Sequence, residues 1–286
     1  MDNLILGTAS FRNGYGVANK FIEHDVESVR EIIETAQKFG IKRFDTAPTY
    51  GLAQGYLGEY LDHKVKPKIS SKISSFDAST PKLILESVMS TLSQTKANKI
   101  ENLYLHDFES LTSANASQTM AGLTQVLSLD LVERIGLSVY NIDELLRAKK
   151  LFPQLTVFQV PENICDRRLW KSEELIKLHQ EGNHFVLRSV FLQGLLLMMS
   201  QQIPSGLKKA NETLSQILTF ASDCGVLPLD LCLAYAKSIP WADGIIIGVA
   251  NKSQLLQIVE SEFNLPSRWD SKIDTLPHEI LDPRQW

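Results

Sequence analysis

Eight short β-rich runs, separated by stretches with helical punctuation, constrain this chain more than any other feature. They are Leu4 to Gly7, Arg43 to Asp45, Lys68 to Lys72, Asn102 to His106, Arg134 to Ser138, Thr156 to Val160, His184 to Ser189 and Gly244 to Gly248. Between them, Asp25 reads as the N-cap of a helix stopped by Gly40, Thr80-Pro81 as a cap and first turn, and Asn141 with Glu144 as a capping box. A helix over Ser172 to Gln180 closes at Gly182, two more lie near Leu207 to Cys224 and Pro228 to Lys237, and Asn251 or Lys252 starts the last. Strands alternating with helices imply parallel βαβ units. Eight such units predict a closed (β/α)8 TIM barrel, an α/β fold that routinely takes about 250 residues as one domain, here residues 1–286. An open dinucleotide-binding sheet calls for GxGxxG after its first strand, whereas Gly7-Thr8-Ala9-Ser10 stands there. No Pro/Gly/Ser-rich linker divides the chain, and the polar, Pro-containing tail after Phe263 is expected to pack as coil over the barrel.

Composition narrows the function. With 44% hydrophobic and 22% charged residues the chain has the balance of a soluble globule with a substantial core. A net charge of -4 argues against nucleic acid as a partner, since phosphate-backbone binding rests on clustered Lys and Arg. Cys165, Cys224 and Cys232 are odd in number and far apart, so neither a disulfide framework nor a zinc site is expected, and a reducing cytoplasm fits. No apolar run approaches the roughly 18 residues of a membrane span. The longest candidate, Phe191 to Met199, is interrupted by Gln193 and Gly194.

The second run ends in Phe44-Asp45-Thr46-Ala47-Pro48-Thr49-Tyr50-Gly51, which sets a carboxylate at a strand end and a phenol just beyond it. Lys72 ends the third run in Ile69-Ser70-Ser71-Lys72-Ile73, and His106 the fourth in Leu103-Tyr104-Leu105-His106. Active groups of such barrels gather at the carboxyl ends of the strands, so adjacent strands would bring these four together. Singly, each has a blander use: a loop cap, a strand-end charge, an exposed aromatic, a rim polar group. Jointly, their order and placement favour one site.

With these residues at these strand ends, the chain resembles the aldo-keto reductase superfamily, from Leu6-Gly7-Thr8-Ala9 to the segment after Ile247-Gly248. The resemblance implies an NAD(P)H-dependent oxidoreductase that reduces an aldehyde or ketone, sugars and sugar-derived carbonyls included. Asp45, Tyr50, Lys72 and His106 would be its catalytic tetrad. Hydride would come from nicotinamide while Tyr50 protonates the carbonyl oxygen. A phenol has an unperturbed pKa of about 10, so Lys72 would supply the cation that stabilises its anion, with Asp45 holding the ammonium and His106 contacting the carbonyl or relaying the proton.

The resemblance also assigns cofactor contacts. Thr8, Ala9 and Asp45 lie along the first two strand ends, and Ser138 and Gln159 match the positions that bind the nicotinamide carboxamide, although Val139 stands where many members carry Asn. Arg188 occupies the place of an aromatic that often stacks on nicotinamide, and its guanidinium plane can also stack. Ser189, Phe191, Gln193 and Gly194 belong to the loop that wraps the pyrophosphate. Gly248, Asn251, Lys252, Ser253, Gln254 and Gln257 align with the adenosine-phosphate loop and helix start, where amides and the helix dipole favour an anion. The usual arginine for a 2'-phosphate is not evident, since Ala250 and Gln254 stand in its place. NADPH is the expected cofactor, with NADH a competitor. Phe11, Phe76 and Phe108, after strands one, three and four, and Trp286 in a pocket-closing tail are the expected substrate contacts; Tyr15 and Trp170 also sit near strand-end loops. The expected partner is a small carbonyl compound, on a cytoplasmic monomer or weak homo-oligomer with no membrane contact. Two other readings compete: a nicotinamide-binding regulatory subunit without turnover, and a phosphate-binding barrel isomerase or aldolase. The last leaves the Asp45 and Tyr50 pairing without a use.

Overall fold

All eight β-rich runs form strands, and these pair in parallel, in sequence order, into one closed barrel. A computed structural model describes residues 3–12, 14–19 and 25–286. The strands are β1 (Leu4–Gly7), β2 (Arg43–Asp45), β3 (Lys68–Ile73), β4 (Ile100–Leu105), β5 (Val132–Ser138), β6 (Val157–Pro161), β7 (His184–Arg188) and β8 (Gly244–Ile247). β1 pairs with both β2 and β8, which closes the ring. Parallel strands covered on both faces are apolar almost throughout, and β1 and β6 are buried at every residue. At one point the barrel needs glycine: a Cβ on Gly136 in β5 would come within 1.7 Å of the Val157 carbonyl of β6.

The outer ring is α1 (Val26–Lys38), α2 (Ala53–Tyr60), α3 (Pro81–Thr95), α4 (Ala116–Ser128), α5 (Ile142–Leu151), α6 (Glu173–Gln180), α7 (Asn211–Cys224), α8 (Pro228–Lys237) and α9 (Lys252–Glu260). The expected caps form. Asp25 accepts from the Ser28 amide at 2.7 Å and Thr80 from that of Leu83 at 3.3 Å. Asn141 accepts from the Glu144 amide at 2.9 Å while the Glu144 carboxylate reaches back to the Tyr140 amide at 2.7 Å. Helices α2 and α4 lack a side-chain cap, so their starts carried no local signal. The helix expected from Leu207 is a 3-10 turn over Ser205–Ala210 that becomes α-helical only at Asn211.

The tail is more ordered than a coil. It forms helical turns at Trp269–Ser271, His278–Leu281 and Pro283–Gln285, with Trp269, Ile273, Leu276 and Ile280 buried. Trp269 packs on Trp170 and Tyr235 with ring centroids 5.3 and 5.2 Å away, and Arg167 donates to the Ile273 carbonyl at 2.9 Å. No single helix among the described residues is long and apolar enough to cross a membrane.

The amino-terminal end of the barrel is closed by charge. Glu101, on β4, is buried and meets Arg43 at 3.0 Å, Lys68 at 3.2 Å and Arg134 at 3.2 Å, cations from the starts of β2, β3 and β5. Burial opposes its ionisation, but Arg43 and then Lys68 outweigh that cost and hold its pKa below the ordinary 4.5. The stabilisation Glu101 supplies is therefore full above pH 4.5 and is lost as pH falls through the lower folded value. Glu101→Gln strands three cations at a closed barrel end and should lower unfolding free energy at pH 7 by about 3 kcal/mol. In urea titrations the gap to wild type should narrow only on acidification below the ordinary glutamate range; equal stability at neutral pH would show that the cluster does not hold the barrel closed.

Candidate active site

Strand register puts the reactive side chains at the other end. Asp45 pairs with Gly7 and Ser70, Lys72 with Tyr104, and Ser138 with Gln159, so β2, β3, β5 and β6 deliver their groups at adjoining heights. Thr8, fully buried, fixes the end of β2 by donating both its amide, at 2.9 Å, and its hydroxyl, at 3.0 Å, to the Asp45 carbonyl. Asp45 is 3% exposed, and each of its carboxylate oxygens is engaged. Lys72 Nζ bonds Oδ1, and the Gln159 amide nitrogen donates to Oδ2.

Lys72 is buried as well, which penalises its charge; Asp45 and then Tyr50 more than offset that penalty and raise its pKa above 10.5. Tyr50 ends a helical turn over Pro48–Tyr50, and its ring centroid lies 5.3 Å from Lys72 Nζ. His106 follows β4 directly, tied in by its amide to the Ile73 carbonyl at 3.0 Å. Partial desolvation, then the charge of Lys72, hold its pKa below 6.5 although Asp107 pulls the other way, so the imidazole is neutral at pH 7, with one donor and one acceptor nitrogen.

These four side chains open into one cavity of about 1070 Å³. Of the expected cofactor contacts, Ala9, Asp45, Ser138, Gln159 and Arg188 line its floor and walls, and Ser189, Phe191, Gln193 and Gly194 line it from the loop after β7. In that loop Ser189, Leu192, Gln193 and Gly194 all have positive φ. A Cβ on Gly194 would come within 2.5 Å of the Ala18 side chain, so the loops after β1 and β7 meet closely beside the cavity. Gly248 and Gln254 complete the wall after β8.

The remaining expected contacts have other places. Thr8 is spent on the β2 end, and Gln257 lines a smaller adjoining cavity of about 280 Å³. Asn251 caps α9 by accepting from the Gln254 amide at 2.9 Å, while Gln254 accepts from the Ala250 amide at 2.7 Å. Lys252 points to Glu31, 3.6 Å away, and Ser253 is exposed; neither lines the main cavity. Val139, where a polar contact is missing, is buried, and its carbonyl accepts from Arg188 at 2.9 Å.

None of the four expected substrate aromatics lines the cavity. Phe11 is in the core, Phe76 is 77% exposed, Phe108 lies under the Arg147 guanidinium, and the Trp286 indole donates to the Ile280 carbonyl. Tyr15, Tyr140, Met198, Arg12 and Arg284 line it instead. Tyr140 was within reach of the sequence, two residues after Ser138. Arg284 was not, because only the path of the tail brings it to the mouth.

The residues present fit a nicotinamide group. Gln159 Oε1 is buried and has no partner among the described residues, while its amide nitrogen is committed to Asp45, so a fixed acceptor is left for an amide N–H. The Ser138 hydroxyl lines the same cavity from the neighbouring strand end. The model of the family described as Aldo/keto reductase family matches residues 3–276 of the chain. No curated protein matches it.

Removing one member of the buried pair should expose its cost. Lys72→Met leaves Asp45 buried without its cation and should lower unfolding free energy by about 3 kcal/mol. The double variant Asp45→Asn/Lys72→Met should lose clearly less than the two single losses combined. Strict additivity in denaturant titrations would mean that the two groups are not coupled.

Proposed function

The chain belongs to the aldo/keto reductase family, and on that footing we propose that it reduces an aldehyde or ketone to an alcohol with NADPH or NADH, using Tyr50 as the proton donor. The observation that carries this reading is the buried Asp45 and Lys72 pair beside the Tyr50 ring, in the wall of a cavity large enough for a dinucleotide and a small substrate. A bound nicotinamide supplies hydride to the carbonyl carbon. Tyr50 gives its phenolic proton to the carbonyl oxygen, so the new C–H and O–H bonds complete the alcohol and leave a phenolate. Lys72 favours that phenolate electrostatically in a site with little water. Asp45 keeps Lys72 charged and in place, and Gln159 and Thr8 keep Asp45 in place. Neutral His106 can donate a hydrogen bond to the carbonyl oxygen and polarise it. A regulatory subunit without turnover would have no use for this costly buried pair.

Ser138 and Gln159 Oε1 would hold the carboxamide, and the loop after β7 the pyrophosphate. At α9 the chain caps its own Ala250 and Gln254 amides, leaving those of Lys252 and Ser253 for an adenosine phosphate. Lys252 is the only cation proposed for a 2'-phosphate, and it faces Glu31. A phosphate there would meet a point charge already shared with a carboxylate rather than a guanidinium fork, so discrimination between NADPH and NADH should be modest.

Tyr50→Phe removes the proton donor and little volume, so it should lower reductive kcat by about 10²–10⁴-fold while the cofactor still binds. Near-normal turnover would reject Tyr50 as the acid. In fluorescence titrations Lys252→Ala should weaken NADPH more than NADH, and Glu31→Gln should strengthen NADPH selectively. A strong NADPH preference indifferent to both substitutions would put the phosphate contact elsewhere.

A further inference from the structure

The cavity is far more cationic than the chain that builds it. The protein carries a net charge of -4, yet among the described residues the charged side chains lining the cavity are Arg12, Lys72, Arg188, Arg284 and a single carboxylate, Asp45. Asp45 is committed to Lys72, which leaves three guanidiniums. Among the described residues Arg188 donates only to the Val139 carbonyl and the Ser189 hydroxyl, its Nε is buried without a partner, and no carboxylate pairs with it. Arg12 likewise has no carboxylate partner among them and lies 6.0 Å from the Tyr15 ring. Arg284 is held from behind by Asp282, which takes Nε at 2.9 Å and Nη2 at 2.7 Å and leaves Nη1.

Two of these cations share one ring. The Arg188 and Arg284 guanidinium carbons lie 4.2 and 3.5 Å from the Tyr140 ring centroid, which places the two like charges within the ~8 Å screening length of physiological salt. Asp282 offsets the charge of Arg284 from behind, and an anion entering from the cavity would be attracted by both guanidiniums. Their location matters too. Tyr140 follows β5, between the ends of β4 and β6 that carry His106 and Gln159, and so stands at the end of the cavity where the tetrad lies. Tyr15, at the same mouth, adds no negative charge: burial and its neighbour Tyr50 push its phenol up to about 12.

We propose that the substrate is a carbonyl compound bearing a carboxylate or phosphate group, and that Arg284, with Arg12 and Arg188, binds this anion beside the reacting carbonyl. The inference rests on the carbonyl-reduction reading and names its substrate class. Guanidinium forks match the oxygen geometry of both anions.

Matched substrates test it. With NADPH and with NADH, kcat/KM is compared for succinic semialdehyde against butanal and for glyceraldehyde 3-phosphate against glyceraldehyde. The charged member of at least one pair should be preferred by about 100-fold, and the pair with the larger preference identifies the anion. Arg284→Gln and Arg12→Gln should each reduce that ratio by about tenfold, with Arg284→Lys in between because it keeps charge and loses the fork. A wild-type ratio near one, or a preference that both Gln variants retain, overturns the proposal. So does a loss of NADPH affinity in Arg284→Gln as large as the loss for the charged substrate, which would assign the guanidinium to the cofactor. If none of the four compounds is reduced, the carbonyl-reduction reading fails for these classes, and calorimetry with succinate and glycerol 3-phosphate decides the anion site separately. Binding that Arg284→Gln weakens about tenfold supports the site, and no binding overturns it.

Discussion

The candidate active site is built on one buried ion pair. Asp45 and Lys72 are both out of water, and removing two charges from water costs several kcal/mol per ion before any attraction is counted. The pair survives because its partners are placed by the barrel and not by chance packing: adjacent parallel strands present the carboxylate and the ammonium, Gln159 reaches across to take the second carboxylate oxygen, and Thr8 pins the backbone beneath. A cation so held can influence a phenol whose ring centroid lies 5.3 Å away.

The two ends of the barrel use charge for opposite purposes. At the amino-terminal end Glu101 is surrounded by Arg43, Lys68 and Arg134, and Arg43 and Arg134 spend further donors on the Asp243 carbonyl and Asn102. Both oxygens of the Glu101 carboxylate are taken up by cations, so that cluster stabilises. At the carboxyl-terminal end the satisfaction is incomplete: among the described residues Gln159 Oε1 and Arg188 Nε are buried without partners and three guanidiniums face a cavity. Unmet donors and acceptors on a rigid floor are what a ligand can complete, and rigidity keeps the cost of binding low.

The walls come from segments distant in sequence. The loop after β1 packs against the loop after β7 through Ala18 and Gly194, and the tail, anchored by Trp269 against Trp170 and Tyr235, carries Arg284 onto Tyr140. The barrel thus places the tetrad while loops and tail line the mouth, and the Asp282 carboxylate ties the Arg284 guanidinium to the tail.

What the sequence determined by itself is what short-range chemistry encodes. Runs of β-branched and apolar residues marked the eight strands, Asp25, Thr80 and Asn141 marked helix starts because a cap acts within three residues, and the order of Asp45, Tyr50, Lys72 and His106 at strand ends followed from the barrel rule. Uncapped α2 and α4 and the late start of α7 escaped because no side chain announced them. Only the tertiary structure decided that Phe11 is core and Phe76 solvent, that Lys252 turns to Glu31, that Gln159 binds Asp45 with one end and nothing with the other, and that Arg284 and Arg188 meet on one tyrosine. Those contacts join residues up to more than two hundred positions apart, and their existence depends on barrel closure and strand register, which no local pattern carries.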